Sequence, residues 1–263
     1  MPTAMLLKIG DENMVVDCGL GVTRGVCDQG LSLTEIDRIL ITHLHSDHYL
    51  EFGPLLHTAW VAGLKRTIPV HGPDGLAAYW QHFLAAMEFD VSLRIEDEGR
   101  VPLTTIPEIE TFQPGVIVET ENLKITAMRN NHPPIVESFA LRIESEGRTA
   151  VLSGDTAYMD KMVEFAEGAD ILVHEAMLVE GVDALVAKTP NGDERLRQHI
   201  LRSHTSAEDV GRIARDAGVK HLVLNHFVPD GIPGFGDDEW MEAARTHWNG
   251  PLNLARDGQM FEF

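Results

Sequence analysis

An apolar run leads directly into a cluster of metal-binding side chains in the stretch RILITHLHSDH, residues 38–48. Its first five residues are strand-length and rich in Ile and Leu, which predicts a buried β-strand. In an extended or turning backbone, side chains two residues apart point the same way, so His43 and His45 can converge on one ion. Asp47 and His48 then turn towards a second ion. The spacing therefore predicts two adjacent metal ions.

Four ligands do not fill two metal sites, so other strand ends must supply the rest. Three later residues each lie just after an apolar run of strand length: His132, Asp155 and His226. Open mixed sheets place their sites at such ends. Taken singly, these residues could be a turn histidine, a helix cap and a hydrogen-bonded core histidine. As a set with the first cluster, they favour a metal site.

Apolar runs and helical patterns alternate along the rest of the chain. Runs of strand length lie at Ala4–Ile9, Met14–Asp17, Arg38–Thr42, Thr67–His71, Gly115–Glu119, Leu123–Arg129, Ser138–Glu144, Thr149–Ser153, Asp170–His174 and Lys220–Asn225. Helical patterns lie at Tyr49–Gly63, Pro73–Met87, Met159–Glu167 and Ser206–Ala217. Hairpins beside strand–helix–strand units predict an α/β (α+β) fold with two mixed sheets and helices outside.

We expect a single domain over residues 1–263. Its least regular segment is residues 177–203, which is a candidate lid or oligomer contact. The chain is 44% apolar and 24% charged, an ordinary water-soluble composition. No stretch approaches 18 uninterrupted apolar residues, and the first 30 residues lack the pattern of a signal peptide. We therefore expect no membrane span and no membrane partner.

Charge and cysteine content narrow the partners and the compartment. Lys and Arg total 21 against 41 Asp and Glu, so the formal net charge of −20 repels polyanions. This disfavours nucleic acid and favours a small-molecule substrate; we also expect a homo-oligomer, a dimer. Cys18 and Cys27 are too few for a disulfide scaffold, which favours a cytoplasmic, reduced protein.

The order of these motifs resembles the metallo-β-lactamase fold superfamily over nearly the whole chain. The resemblance implies a four-layered αβ/βα sandwich with a two-metal hydrolytic site, usually zinc. It also implies which residues hold which ion. One ion would be held by His43, His45 and His132, the other by Asp47, His48 and His226, with Asp155 bridging them. A bridging carboxylate argues against the true β-lactamase branch, where a thiol commonly takes that place.

Within the superfamily, the chain is most similar to the tRNase Z-like branch. The similarity lies in VVDCG at 15–19, HEA at 174–176 and SHTSAED at 203–209. It implies that His204 acts as a catalytic acid alongside the catalytic ligand Asp47. We expect Asp17 and Glu175 to orient ligand histidines, because such histidines generally need their other ring nitrogen fixed. The RNA-gripping arm common in that branch has no room between residues 132 and 155.

The ligand set predicts a metal-dependent hydrolase. Two divalent ions sharing Asp155 and a solvent oxygen create a bridging hydroxide that attacks the substrate. The ligands favour Zn²⁺, with Mn²⁺ or Fe left open. The substrate is expected to be a small ester, phosphodiester or activated aromatic. The alternatives are a tRNase Z-type endoribonuclease that processes pre-tRNA 3′ ends and a non-hydrolytic metal oxidoreductase of the same fold.

Overall fold

The structure is a computed structural model that describes residues Thr3–Phe263. The chain divides into two compact units, which we call the N-terminal unit, described over residues 3–113, and the C-terminal unit, residues 114–263. Each unit contains one β-sheet. A single domain over residues 1–263 stays a prediction, and the first two residues of that range lie outside the described part.

The N-terminal unit has a five-stranded sheet within its described residues. Its strands are β1 (Met5–Ile9), β2 (Glu12–Val16), β3 (Arg38–Leu40), β4 (Ile68–Gly72) and β5 (Pro107–Thr111). The strand order follows the sequence; β1 and β2 form an antiparallel hairpin, and β2 to β5 run parallel. The first sheet is therefore mixed, as predicted.

Helices pack on this sheet through apolar faces. They are α1 (Val22–Asp28), α2 (Ser46–Tyr49), α3 (Phe52–Val61), α4 (Leu76–Ala86) and α5 (Glu88–Glu98). Helix α3 buries Leu55 and Trp60 in a core that contains Ile39 of β3 and Val70 of β4. The indole of Trp60 also donates to the carbonyl of Val101 at 2.9 Å. This packing fixes the segment that follows β3, where the histidines lie.

The C-terminal unit has a seven-stranded sheet. Its strands are β6 (Gly115–Glu119), β7 (Leu123–Arg129), β8 (Phe139–Ser145), β9 (Arg148–Leu152), β10 (Ile171–Met177), β11 (Leu222–Val228) and β12 (Leu252–Leu254). Strands β6 to β9 pair antiparallel in sequence order, and β9 to β12 pair parallel. The prediction of two mixed sheets is confirmed.

The helices of this unit are α6 (Lys161–Phe165), α7 (Val179–Lys188), α8 (Glu194–Ser203), α9 (Ala207–Ala217) and α10 (Asp237–Arg245). Helix α9 begins as the sequence predicts: the hydroxyl of Ser206 accepts from the backbone N–H of Asp209 at 3.1 Å. It ends at Gly218, whose φ of 63° suits glycine. Within residues 3–263, no helix combines the length and apolar character needed to cross a membrane.

The segment 177–203 is more regular than we expected. It consists mainly of α7 and α8, whose apolar side chains Val182 and Ile200 pack with Met177. Asp193 caps α8 by accepting from the backbone N–H of Arg195 at 2.9 Å. The sequence did not indicate these two helices, because the segment is polar and few of its residues are buried. A role as lid or oligomer contact stays a prediction.

Candidate metal centre

We call residues 43–48 of the N-terminal unit the histidine turn. Asp17 contacts the chain between the end of β3 and this turn. The sequence predicts that this strand reaches Thr42, but it ends at Leu40. The backbone N–H of Thr42 donates to Oδ1 of Asp17 at 2.7 Å, and the Thr42 hydroxyl donates to Oδ2 at 2.9 Å. The carboxylate thus replaces the strand hydrogen bonds and directs the chain into the turn.

Asp17 also orients a histidine of this turn. Its Oδ2 lies 2.8 Å from Nδ1 of His48, and both side chains are almost fully buried. Because a carboxylate only accepts, the proton is assigned to Nδ1, which leaves Nε2 as the donor atom for a metal. Asp17 has a φ of 62°, a left-handed conformation that is uncommon outside glycine and that often marks a functional site.

The donor atoms of the histidine turn lie in two pairs. Nε2 of His43 is 3.2 Å from Nδ1 of His45, and Nε2 of His48 is 3.8 Å from Oδ2 of Asp47. The turn depends on a close backbone approach, because a Cβ at Gly19 would lie 2.2 Å from the carbonyl oxygen of Asp47. The pairing matches the two-ion expectation, which stays a prediction.

In the C-terminal unit, candidate ligands gather around Asp155; we call His132, Asp155 and His226 the aspartate cluster. Nε2 of His132 lies 4.0 Å from Oδ2 of Asp155. Nδ1 of His132 donates to the carbonyl of Ser203 at 2.8 Å, so Nε2 again carries the lone pair of the ring. A backbone carbonyl here does what Asp17 does for His48.

A β-bulge in β11 positions His226. Strands β10 and β11 pair Glu175 with Asn225 and Ala176 with Phe227, so His226 is the extra residue. Bulges of this kind re-aim side chains beside active sites. The φ of His226 is 44°, and its Nε2 lies 3.3 Å from Oδ2 of Asp155. The bulge therefore turns this ring towards the carboxylate.

Glu175 joins three segments behind the aspartate cluster. Its Oε1 accepts from the backbone N–H of Thr205 at 2.8 Å and from that of Thr156 at 3.3 Å. Its Oε2 lies 3.3 Å from Nδ1 of His204. Glu175 is 1% exposed, so its charge depends on these donors. Its contact with a histidine side chain is therefore with His204, and a role in orienting a ligand histidine stays a prediction.

His204 lies beside the aspartate cluster. One ligand atom from each of Asp155, His204 and His226 lies within 4.8 Å of the others. The ring of His204 stacks on that of His226 with centroids 5.8 Å apart. Atom positions alone would allow His204 as a metal ligand. Its Nδ1 is held by Glu175, and this is also the arrangement of an acid that a carboxylate supports.

The histidine turn and the aspartate cluster each have ligands that suit a divalent metal. Imidazole nitrogens and carboxylate oxygens are the ligands of zinc and of similar ions. His48 and His132 each have Nδ1 fixed by an acceptor, as metal-binding histidines require. The structure places four of the seven candidates in the histidine turn and three in the aspartate cluster.

Sequence reasoning missed three supporting groups. These are the backbone and hydroxyl of Thr42, the carbonyl of Ser203, and the hydroxyl of Thr205, which donates to the carbonyl of Thr156 at 2.6 Å. A threonine ahead of the histidines is a weak signal for the first. No side-chain pattern could have indicated the carbonyl, because every residue has one.

Comparisons with known proteins find relatives of this chain. The family described as anti-Pycsar protein Apyc1 matches residues 1–227. Ribonuclease Z of Mycolicibacterium gilvum (strain PYR-GCK) is 33% identical over 96% of this chain and 86% of its own length. Ribonuclease Z of Mycobacterium bovis (strain BCG / Pasteur 1173P2) is 32% identical over 96% of this chain and 88% of its own length.

Two solved structures resemble the chain. The metallo-β-lactamase fold protein YhfI from Bacillus subtilis has a TM-score of 0.72 and 26% identity, covering 99% of this chain and 92% of its own. Human tRNase Z, short form, has a TM-score of 0.69 and 21% identity, covering 98% and 91%. The second likeness concerns the fold alone.

Proposed function

We propose that this chain, which belongs to the anti-Pycsar Apyc1 family in the tRNase Z-like branch of the metallo-β-lactamase superfamily, hydrolyses a small phosphodiester with two metal ions. The fold class predicted from the sequence is confirmed by the likeness to YhfI. The chain is a metal-dependent hydrolase, as its ribonuclease Z relatives indicate. The number of ions, their identity and the substrate are our proposals.

The histidine turn and the aspartate cluster would hold the ions jointly. Neither has enough protein ligands for two ions, whereas together they supply six single ligands and one bridging carboxylate. We assign one ion to His43, His45 and His132, the other to Asp47, His48 and His226, and the bridge to Asp155. When bound, two divalent ions activate water as a nucleophile and stabilise charge on the scissile group. Zn²⁺ fits this nitrogen-rich set best; Mn²⁺ and Fe are the alternatives.

The observation that carries the proposal is the contact between His204 and Glu175 beside Asp155. A buried carboxylate favours the protonated form of a histidine that it contacts. The proton on Nδ1 faces Glu175, so Nε2 is the atom that would donate a proton to the leaving oxygen. A phosphodiester with a poor leaving group needs such a donor more than an activated ester does. This favours a phosphodiester over an activated aromatic compound.

A tRNase Z-type activity is the second candidate, since the relatives are named ribonuclease Z. Charge argues against it: phosphate contacts dominate nucleic-acid affinity, but the formal net charge is −20. In α8, Arg195 and Arg197 are 2.6 Å from the carboxylates of Asp193 and Asp183. Between His132 and Asp155, a fully described segment, the chain forms the β8–β9 hairpin instead of an arm. The small phosphodiester is therefore preferred.

Side-by-side kinetics test this choice. The zinc-loaded protein is assayed on bis-p-nitrophenyl phosphate and on a pre-tRNA with a 3′ trailer, each over a range of salt concentrations. We expect efficient hydrolysis of the small diester and poor RNA cleavage. Asp155→Asn serves as the control, because it should remove both activities if they share one site. Efficient, salt-sensitive cutting at the 3′ trailer would overturn the small-substrate proposal in favour of tRNase Z.

Three further expectations stay proposals. A homodimer is expected, and its test is the mass of the protein in solution. The segment 177–203 is the candidate contact or lid. Both cysteines are free thiols, with Cys27 exposed, which favours a reducing compartment such as the cytoplasm.

A further inference from the structure

Several buried polar atoms of the C-terminal unit have no hydrogen-bond partner among the described residues, and three of them belong to residues on one face of its sheet. These three are Oδ1 of Asn130, Oγ of Ser138 and Nε2 of His174. Their residues are 8%, 0% and 0% exposed. Such atoms are costly to leave unbonded, and in folded proteins they are nearly always bonded to protein or to ordered water. Three of them on one face of the same sheet call for a common explanation.

These residues, which we call the polar row, lie in or directly beside strands of the same sheet. Asn130 follows β7, and its backbone N–H donates to the carbonyl of Ser138, just before β8, at 3.0 Å. The amide Nδ2 of Asn130 donates to the carbonyl of Ser153, just after β9, at 2.8 Å. The backbone N–H of Ser153 in turn donates to the carbonyl of Val173 at 3.0 Å, and Val173 is next to His174 in β10.

The polar row also shares one face of the sheet. Asn130, Ser138 and His174 each lie two residues along the chain from an apolar residue. Those residues are Met128, Ala140 and Leu172, in that order. Those three belong to or pack against the core cluster that includes α6 and α9. Because side chains alternate between faces, the polar row lies at the rim of the same buried face.

The bonding capacity of the row matches water. Nδ1 of His174 lies 2.7 Å from the carbonyl of Glu175 and carries the proton, and burial lowers the pKa of His174, so its ring is neutral. Nε2 of His174 and Oδ1 of Asn130 are therefore acceptors, whereas the Ser138 hydroxyl can donate. Water supplies two hydrogens for the acceptors and lone pairs for the hydroxyl.

We propose that ordered water bound by Asn130, Ser138 and His174 positions the turns that carry His132 and Asp155. Asn130 lies two residues before His132, and the carbonyl it bonds, that of Ser153, lies two residues before Asp155. Water that fixes the Asn130 side chain therefore fixes both turns relative to each other. The effect on metal affinity rests on the proposed ligand role of those residues; the presence of the water does not.

Ser138→Ala tests the proposal, because it removes the hydroxyl and nothing else. In metal-free protein we expect the Tm to fall by about 2–4 °C, since the water loses a partner. We expect the Kd for Zn²⁺ to rise about tenfold, as for other groups that orient ligands indirectly. The visible absorption of Co²⁺-loaded protein should change too, because it reports ligand geometry. Ser145→Ala, a buried serine at the other end of β8, should leave Kd and absorption unchanged.

The opposite sign overturns the proposal. If no water is bound, the hydroxyl is an unsatisfied buried group, and Ser138→Ala raises the Tm of the metal-free protein. A lower Tm with unchanged Kd and Co²⁺ absorption overturns the positioning role. A high-resolution structure of the metal-free protein should show water within hydrogen-bond distance of Oγ of Ser138. Failure of the wild-type chain to bind metal would instead count against the proposed function, and the Tm and the water would still be measurable.

Discussion

The four candidate ligands of the histidine turn lie within six consecutive residues, whereas those of the aspartate cluster lie after β7, after β9 and in β11. In the first, one carboxylate, Asp17, bends the chain and orients His48. In the second, Ser203 orients His132 through its backbone, and a bulge turns His226. The turn thus depends on one side chain, while the cluster depends on the register of a whole sheet.

The largest effect is expected at Asp155, a carboxylate that both histidines of the cluster approach. Asp155→Asn should lower zinc affinity and the rate by more than about 100-fold, the upper range for residues that only orient ligands. Metal titration and kinetics measure both. Asp160→Asn, at an exposed carboxylate of the same loop, is the matched control. A loss below tenfold would mean that Asp155 is not a ligand.

His204→Ala should separate chemistry from metal binding. We expect both metals to stay and the rate on a poorly activated phosphodiester to fall by about 10²–10⁴-fold, with a smaller loss for a p-nitrophenyl leaving group. His247→Ala, at a partly exposed histidine that contacts Glu208, is the control. Loss of a metal ion in His204→Ala would identify the residue as a ligand, and equal losses on both substrates would contradict its role as an acid.

Asp17→Ala sharpens the contrast between the histidine turn and the aspartate cluster. The variant frees His48 and Thr42 together, so we expect zinc affinity to weaken by about 10–100-fold. Circular dichroism checks that the variant folds, and Asp37→Ala controls for loss of a carboxylate. The equivalent support for His132 is a carbonyl that no substitution removes. Unchanged affinity in Asp17→Ala would show that the turn holds its shape without the carboxylate.

The smallest effect concerns pH and the metal-free protein. Burial, together with the nearby Arg38, lowers the pKa of His71, while Glu110 opposes this. The unfolded chain then binds a proton more readily than the folded one, so stability is full above the unfolded pKa of about 6.5 and falls as pH drops below it. We expect His71→Gln to lose less Tm than wild type between pH 7.5 and 5.5. An equal loss would show that His71 does not contribute.

The sequence predicted the two sheets well because most strands are continuous apolar runs bounded by polar turns. It did not indicate α5. There Phe89, Val91, Leu93 and Ile95 alternate like a strand, yet Phe89 is 83% exposed and Leu93 52%. Val91 and Ile95 pack against the core instead. Helix α5 therefore has too little buried surface to reveal its period.

The sequence also indicated the candidate ligands and the contact of Asp17 with a histidine, but not the other groups that support them. A contiguous motif indicates its own site, and strand ends indicate where His132, Asp155 and His226 lie. Glu175 was expected to orient a ligand histidine, which stays a prediction; its contacts with His204 and with two backbone N–H groups were not foreseen. The bulge at His226 depends on how β10 and β11 pair, which local patterns do not contain.

Metal stoichiometry tests the central proposal most directly, namely that the histidine turn and the aspartate cluster would together hold two ions, with Asp155 as a shared ligand. The protein is saturated with zinc, passed over a desalting column and analysed for metal and protein content. We predict two zinc ions per chain. One ion per chain, or none, would contradict the joint two-metal site.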